Sequence, residues 1–514
     1  MASPATAATA RPPVFKRGFY LHTSWEFAYP FAVRSWQRED FSRFFTLLQL
    51  LDFNLVMFWP LTEAMPSPLS PADRAELEGM RRLADEAHAH GLDFWLTFCA
   101  NATARSEIAS LPFKSRHLYP FRLDVRLDDP TAQAAYLAHR AEILKVLNNA
   151  DAYVTIDGDP GGYPGAMPRQ FNEVLEADRT VLDRLGTHPP AQQIVPWVWQ
   201  GWGSDWGRHG VWGEPIEPLA VPELEELRHL PEPWTLLPGR HIREGRGNGR
   251  LIFELTERAG LTGKSVLLCY EIIEYEPTPP AVVLQFDDIR RVLRQEAPLL
   301  AKSRGVMGNA QQPLLALPNL FFFARGTSDP AYLDRGDGEI LRDLAQFLGG
   351  DSAVLVPAWQ CLQRDLATLP ADLPARLERS ALTSAAAQLL PGGAARYLQI
   401  LAAFVRSRIG VLQACRLAPD NESDAVDALH QATAALIAWW RVHRYVFTGE
   451  NGTDFQWEFT HPELLAPLQT WMRQLAQPRE AVIRAAAKRL AEGDVLGETR
   501  AGALLGRLMQ DESH

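Results

Sequence analysis

The stretch Tyr153-Val-Thr-Ile-Asp157-Gly-Asp159-Pro-Gly-Gly-Tyr163-Pro decides the reading of the fold. Tyr153, Val154 and Ile156 have the aromatic and β-branched character of a buried strand, and Pro160, Gly161 and Gly162 stop it in a tight turn. Two acids, Asp157 and Asp159, therefore fall at the strand's C-terminal edge. In parallel α/β barrels that edge is where catalytic side chains gather. Asp-Gly and Asp-Pro-Gly are also ordinary turn sequences, so the surroundings must decide between chemistry and turn geometry.

Working outward, short strand-like runs alternate with amphipathic helical stretches from residue 17 to 326. Eight runs can be read: 18–22, 54–59, 93–98, 152–157, 193–199, 265–270, 281–286 and 319–324. Eight strands alternating with helices predict an α/β fold of the (β/α)8 TIM-barrel type. Helical spacing of apolar residues over 38–51, 73–90 and 131–148 supplies the helices of the first half. The second half is less regular, and the Pro- and Gly-rich segment 211–249 reads as a long excursion over the barrel mouth. After Gly326 the chain turns Ala- and Leu-rich with helical period, notably over 338–348, 395–415, 423–446 and 462–475. The division expected is a lead-in over 1–16, a barrel over 17–326 and a helical C-terminal domain over 327–514.

Composition narrows the partners. With 514 residues, 46% hydrophobic and 22% charged, the chain can bury a large core and is long for one domain. A net charge of -11 with no long run of Lys or Arg argues against a nucleic-acid or anionic-membrane partner. Residues 1–13 lack the apolar centre of a signal peptide, and no run is long enough to span a bilayer, so the chain reads as soluble. Cys99, Cys269, Cys361 and Cys415 lie far apart and read as isolated thiols rather than as a disulfide frame or a zinc site. No phosphate loop, no dinucleotide fingerprint and no His-Glu-x-x-His occurs, so neither cofactor nor metal is expected.

The presumed strand ends gather a consistent set at one rim: His22 and Trp25, Trp59, Asn101, Asp157 and Asp159, Trp199 and Trp202, then Glu271 and Glu274. Indole faces pack on the CH faces of sugar rings while carboxylates and amides take hydroxyls, so the mixture suits a carbohydrate. Cleaving a glycosidic bond needs two carboxyl groups, one to protonate the leaving oxygen and one to act as nucleophile or activate water. Asp159, just past the strand, is the preferred first acid, with Asp157 orienting it or holding a hydroxyl, and the reverse assignment of the two roles stays open. Glu271, ending an apolar run, is the preferred partner. Asn309 and Gln311 precede the last run and are read as loop amides that bind hydroxyls. Asp287 and Asp288 form another acidic pair, though Asp287 suits a helix cap equally well.

The Arg17-Gly-Phe-Tyr-Leu-His22 run, the Asn54-Leu-Val-Met-Phe-Trp59 run and the acidic end at Asp157 resemble the barrel of glycoside hydrolases related to the β-N-acetylhexosaminidases. The resemblance spans about residues 17–326, and the helical tail is similar to those of several such families. It implies a glycosidase, with attack by the substrate's own N-acetyl group as one possible route. Those enzymes carry adjacent acids where this chain has Asp157-Gly158-Asp159, which separates it from their pattern. A barrel that binds carbohydrate without cleaving it is the alternative from another class.

Overall fold

A computed structural model describes residues 15–23, 29–99, 102–113, 116, 122–157, 167–185, 193–199, 216–242, 249–274, 283–362 and 369–416. Eight parallel strands close into a barrel: β1 (Lys16–His22), β2 (Leu55–Trp59), β3 (Asp93–Phe98), β6 (Ala152–Ile156), β7 (Gln193–Val198), β8 (Leu237–His241), β9 (Val266–Tyr270) and β10 (Gly305–Ala310). Two short strands, β4 (Ala102–Ala104) and β5 (Arg122–Asp124), pair antiparallel outside it. Closure runs through β1, which pairs with β2 on one side and β10 on the other.

Alternation along the strands sorts the apolar side chains into two cores. Leu55, Met57, Val154, Ile156, Val195, Leu268 and their neighbours fill the barrel interior. Phe19, Leu21, Val56, Leu96, Tyr153 and Leu267 point outward, where helices such as α1 (Arg38–Leu50), α2 (Pro71–Ala89), α3 (Pro130–Val146) and α4 (Pro168–Leu185) cover them. Helix α2 starts sharply because Ser70 accepts from the Asp73 amide, Asp73 accepts from the Ser70 amide, and Pro71 occupies the first turn. Under the rim, buried Arg140 of α3 pairs with Asp178 of α4 at 2.7 Å, donates to the Cys99 carbonyl at 3.2 Å and to Thr155, and lies 4.4 Å from the Phe98 ring. It pins two helices to the ends of β3 and β6.

The first five expected runs lie on β1, β2, β3, β6 and β7, and the 265–270 run forms β9, the seventh barrel strand rather than the sixth. The other two are corrected. Residues 283–285 are not strand, and helix begins at Phe286. Residues 319–324 lie inside the helix Leu317–Ser328, whose Phe321, Phe322 and Phe323 are all buried. That helix packs against the helices before and after it and is buried along most of its length, so periodicity cannot tell it from a buried strand. The missing strands are β8, within the expected excursion, and β10, at the expected amide loop.

Both carry poor strand signals for steric reasons. On β8, a Cβ at Gly239 would lie 2.5 Å from Trp197 Nε1 and 2.7 Å from Trp199 Cε3, so two indoles fill the space a side chain would need. On β10, a Cβ at Gly305 would meet the Lys16 carbonyl oxygen at 2.2 Å.

Past residue 326, helices occupy Asp337–Phe347, Ser352–Gln360, Leu373–Arg379 and Ala394–Arg416. The expected helices at 423–446 and 462–475 lie outside the described residues. Leu341, Trp359, Tyr397 and Val405 join the same hydrophobic cluster as the outward faces of the barrel strands. Asp40 at the start of α1 accepts from the Tyr29 hydroxyl at 2.9 Å and from the Gly392 amide at 2.8 Å, tying the later helices to the barrel. No helix among the described residues is long and apolar enough to cross a membrane.

Candidate active site

The C-terminal ends of the barrel strands bring His22, Trp59, Asp157, Trp199, Glu271, Asn309 and Gln311 to one mouth. Asp159, Trp25, Asn101 and Trp202 lie outside the described residues. The interior beneath the mouth is aromatic. Tyr20 stands edge-on to Trp197 with ring centres 5.4 Å apart, and Trp199 stands edge-on to Tyr270 at 4.7 Å. His22 lies 4.8 Å from Trp59, and Trp197 and Trp199 are themselves 5.5 Å apart. Trp197 and Trp199 both belong to the interior hydrophobic cluster.

Asp157 is fully buried at the end of β6. Its amide donates to the Trp197 carbonyl at 3.0 Å, and its Oδ2 accepts from the Trp199 amide at 3.0 Å. The carboxylate thereby locks the ends of β6 and β7 together.

Glu271 is the second buried acid of the mouth, and its backbone is left-handed at φ 69°. A non-glycine residue held there costs about 1–3 kcal/mol, sustained only where the surroundings over-determine it. Two side chains do so: Asn309 Oδ1 accepts from the Glu271 amide at 2.7 Å, and Gln285 Nε2 donates to the Glu271 carbonyl at 2.8 Å. Glu271 Oε2 lies 3.5 Å from Nδ1 of buried His241. The His241 ring is 4.4 Å from Trp199 and 5.4 Å from Tyr270.

Glu274 sits one turn further on and accepts from the Gln312 amide at 2.6 Å and from its side chain at 3.3 Å. Burial pushes its carboxyl up to about 8, against the opposing pull of those donors, which favours the protonated form. Gln311 reaches the Tyr270 hydroxyl at 3.5 Å. Asn309 lies inside β10 rather than in a loop, because the segment Gly305–Ala310 is a strand, and its amide oxygen serves the Glu271 backbone. Asp287 does not cap the helix as expected: the N-cap position is Gln285, no side chain caps there, and Asp287 and Asp288 sit inside the first turn, where they pair with Arg290 and Arg291.

Two rim residues have no counterpart in the sequence reading. His241 ends β8, whose Pro238 and Gly239 hide the strand; the apolar Trp234-Thr-Leu-Leu237 run just before them was the available signal. Glu63 lies in a turn after β2, buried, accepting from Trp59 Nε1 at 3.2 Å and from the Cys99 amide, and burial raises its carboxyl above the usual range. A separate cavity of about 370 Å³ opens between α1 and α2 on the outer side of β2. Its lining is mostly apolar and includes one carboxylate, Glu76, so it lacks the several acids of the mouth.

No family model and no curated protein sequence matches this chain. Among solved structures it is similar to an O-GlcNAc hydrolase mutant of Thermobaculum terrenum, at 10% identity and a TM-score of 0.47, covering 94% of this chain and 96% of that one. It is also similar to a GH138 enzyme targeting pectin rhamnogalacturonan II, at 11% identity and a TM-score of 0.43, covering 89% and 67%. A third likeness is to a β-N-acetylhexosaminidase, at 12% identity and a TM-score of 0.40, covering 65% and 76%. At these values the likeness extends to no residue and to no role.

Proposed function

We propose that the chain is a glycoside hydrolase whose site is the C-terminal mouth of the barrel. The observation that carries this reading is the presence of two fully buried acids, Asp157 past the end of β6 and Glu271 past the end of β9, at the strand ends that also carry the buried aromatics Trp59, Trp199 and Tyr270. Aromatic faces there offer CH–π stacking to a pyranose, and the acids supply hydroxyl contacts and proton transfer. Asp159, two residues beyond Asp157, is the proposed proton donor, with Asp157 fixing the β6 end beside it. Glu271 supports the opposite side of the sugar ring. His22, Trp25, Trp59, Asn101, Trp199, Trp202, Glu274, Asn309 and Gln311 are proposed as the surrounding binding set, with Asn309 and Glu274 acting through the segments they hold.

Catalytic proton transfer contributes on the order of 10²–10⁴-fold. Asp159→Asn and Glu271→Gln are therefore expected to lower kcat on a responsive glycan by that range, while thermal melts show intact folding. A panel of aryl glycosides and natural oligosaccharides with product analysis makes the measurement, and parent-like turnover by both variants would remove the catalytic assignment. One observation favours a second reading: the Asp157 carboxylate already has a structural duty toward the Trp199 amide. On that reading the barrel binds carbohydrate without cleaving it, and the parent retains a sugar yet releases no product.

A further inference from the structure

We propose that His241 is a substrate-contacting residue of this mouth and that the Glu271 carboxylate, besides its own part in the mouth, orients it. The ligand assigned to His241, a sugar hydroxyl, rests on the glycosidase reading.

The strand phase makes the case. On β9, Val266, Leu268 and Tyr270 belong to the interior core, while Leu267 and Cys269 belong to the outer one. By alternation, position 271 should also face outward. Its left-handed backbone breaks that alternation, and Asn309 and Gln285 hold the break from both sides of the residue. The result is a buried carboxylate 3.5 Å from Nδ1 of His241. His241 itself has interior phase, two residues beyond Gly239 and four beyond Leu237, which lies in the interior core. A strained residue, two amide side chains and a strand-end imidazole thus converge on one contact beside Trp199 and Tyr270.

A carboxylate at Nδ1 favours the tautomer with the proton on that nitrogen. In the neutral ring Nε2 then keeps its lone pair and accepts a hydrogen bond from a hydroxyl of a sugar flanked by Trp199 and Tyr270. The 3.5 Å separation is an ion-pair distance at which the two atoms do not hydrogen-bond to each other, and a sugar entering the mouth would have to tighten it.

Two measurements on the full chain test this. With ¹⁵N-histidine labelling and His241→Gln to identify the resonance, long-range proton–nitrogen correlations should report the Nδ1-protonated tautomer, and Glu271→Leu should abolish that preference. An Nε2-protonated ring in the parent overturns the proposal. Tryptophan fluorescence titrations with methyl glycosides of glucose, galactose, mannose and N-acetylglucosamine give the second readout, which does not depend on Glu271→Leu folding. For the glycoside that binds, His241→Phe should weaken affinity about tenfold, and His241→Gln, which returns an acceptor, should recover part of it. Unchanged affinity in a folded His241→Phe protein overturns the inference and leaves the glycosidase reading intact. A parent that neither binds nor hydrolyses any glycoside defeats that reading, and the ligand assigned to His241 falls with it.

Discussion

The two parts of the barrel are held at their rims in different ways. In β1, β2, β3, β6 and β7 the strands are runs of aromatic and branched apolar residues, and the acid at the β6 end is fixed by a backbone amide. In β8, β9 and β10 the rim is set by side chains acting on one another's segments: Asn309 and Gln285 on the Glu271 backbone, Glu274 on the Gln312 amide, and Asn319 on the carbonyls of Ile273 and Val283. A rim held by backbone pairing is robust and leaves few polar groups to spare. A rim held by side-chain amides and acids can tolerate strain, as at the left-handed Glu271, and the first part holds one such rim residue too, Leu61 just past β2.

Three substitutions can break or sharpen this contrast. The largest effect is expected in the first part, at Arg140. Replacing it by Met leaves Asp178 buried without its cation, and loss of one partner of such a pair costs about 3–5 kcal/mol. Denaturant unfolding measures the loss, and a cost near zero would mean that the first part does not depend on its buried ion pair.

The next effect belongs to the second part and depends on pH. Glu274 moves from an ordinary 4.5 to about 8 on folding. Between those values the unfolded chain has released a proton that the native chain keeps, so stability falls as pH rises through this window and levels off above it. The total is on the order of a few kcal/mol. Melting temperatures of Glu274→Gln should show a flatter decline from pH 5 to 8 than the parent, and equal slopes would relocate the titration elsewhere.

The smallest effect is at Gly239→Ala, where the two parts of the barrel meet. The added methyl group overlaps Trp197 and Trp199, and such overpacking costs about 1–3 kcal/mol. A changed near-UV circular dichroism band, reporting displaced indoles, should accompany it. An unchanged band would mean that the β7 indoles do not rely on the space above β8.

The same contrast explains what the sequence made legible. Tyr153-Val-Thr-Ile156 and Leu55-Val-Met-Phe-Trp59 announce strands because a strand covered on both faces is apolar along its whole length. Leu237-Pro-Gly-Arg-His241 and Gly305-Val-Met-Gly-Asn-Ala310 do not, because close packing demands glycine at positions where propensity expects a side chain. Of their polar members, His241 and Asn309 stand beside Glu271 while Arg240 pairs with Glu296, so the features that build the second part of the rim also erase its strand signal. Glu271 was readable as the acid ending an apolar run, but its partner His241 was hidden by Pro238 and Gly239. The phenylalanine run at 321–323 misled for the opposite reason: a helix buried along most of its length has the composition of a strand.

The hydrogen bond from the Gly392 amide to Asp40, and the cluster joining Val405 to the outward side chains of the barrel strands, bear on where the molecule can be cut. A boundary placed at residue 326 looks natural from composition alone. Severing the chain there would uncover Phe321, Phe322 and Leu341 and strip a partner from the buried Asp40 carboxylate that caps α1. The helices through residue 405 share the hydrophobic cluster outside the barrel, so a truncation at 326 is expected to cut through a packed surface.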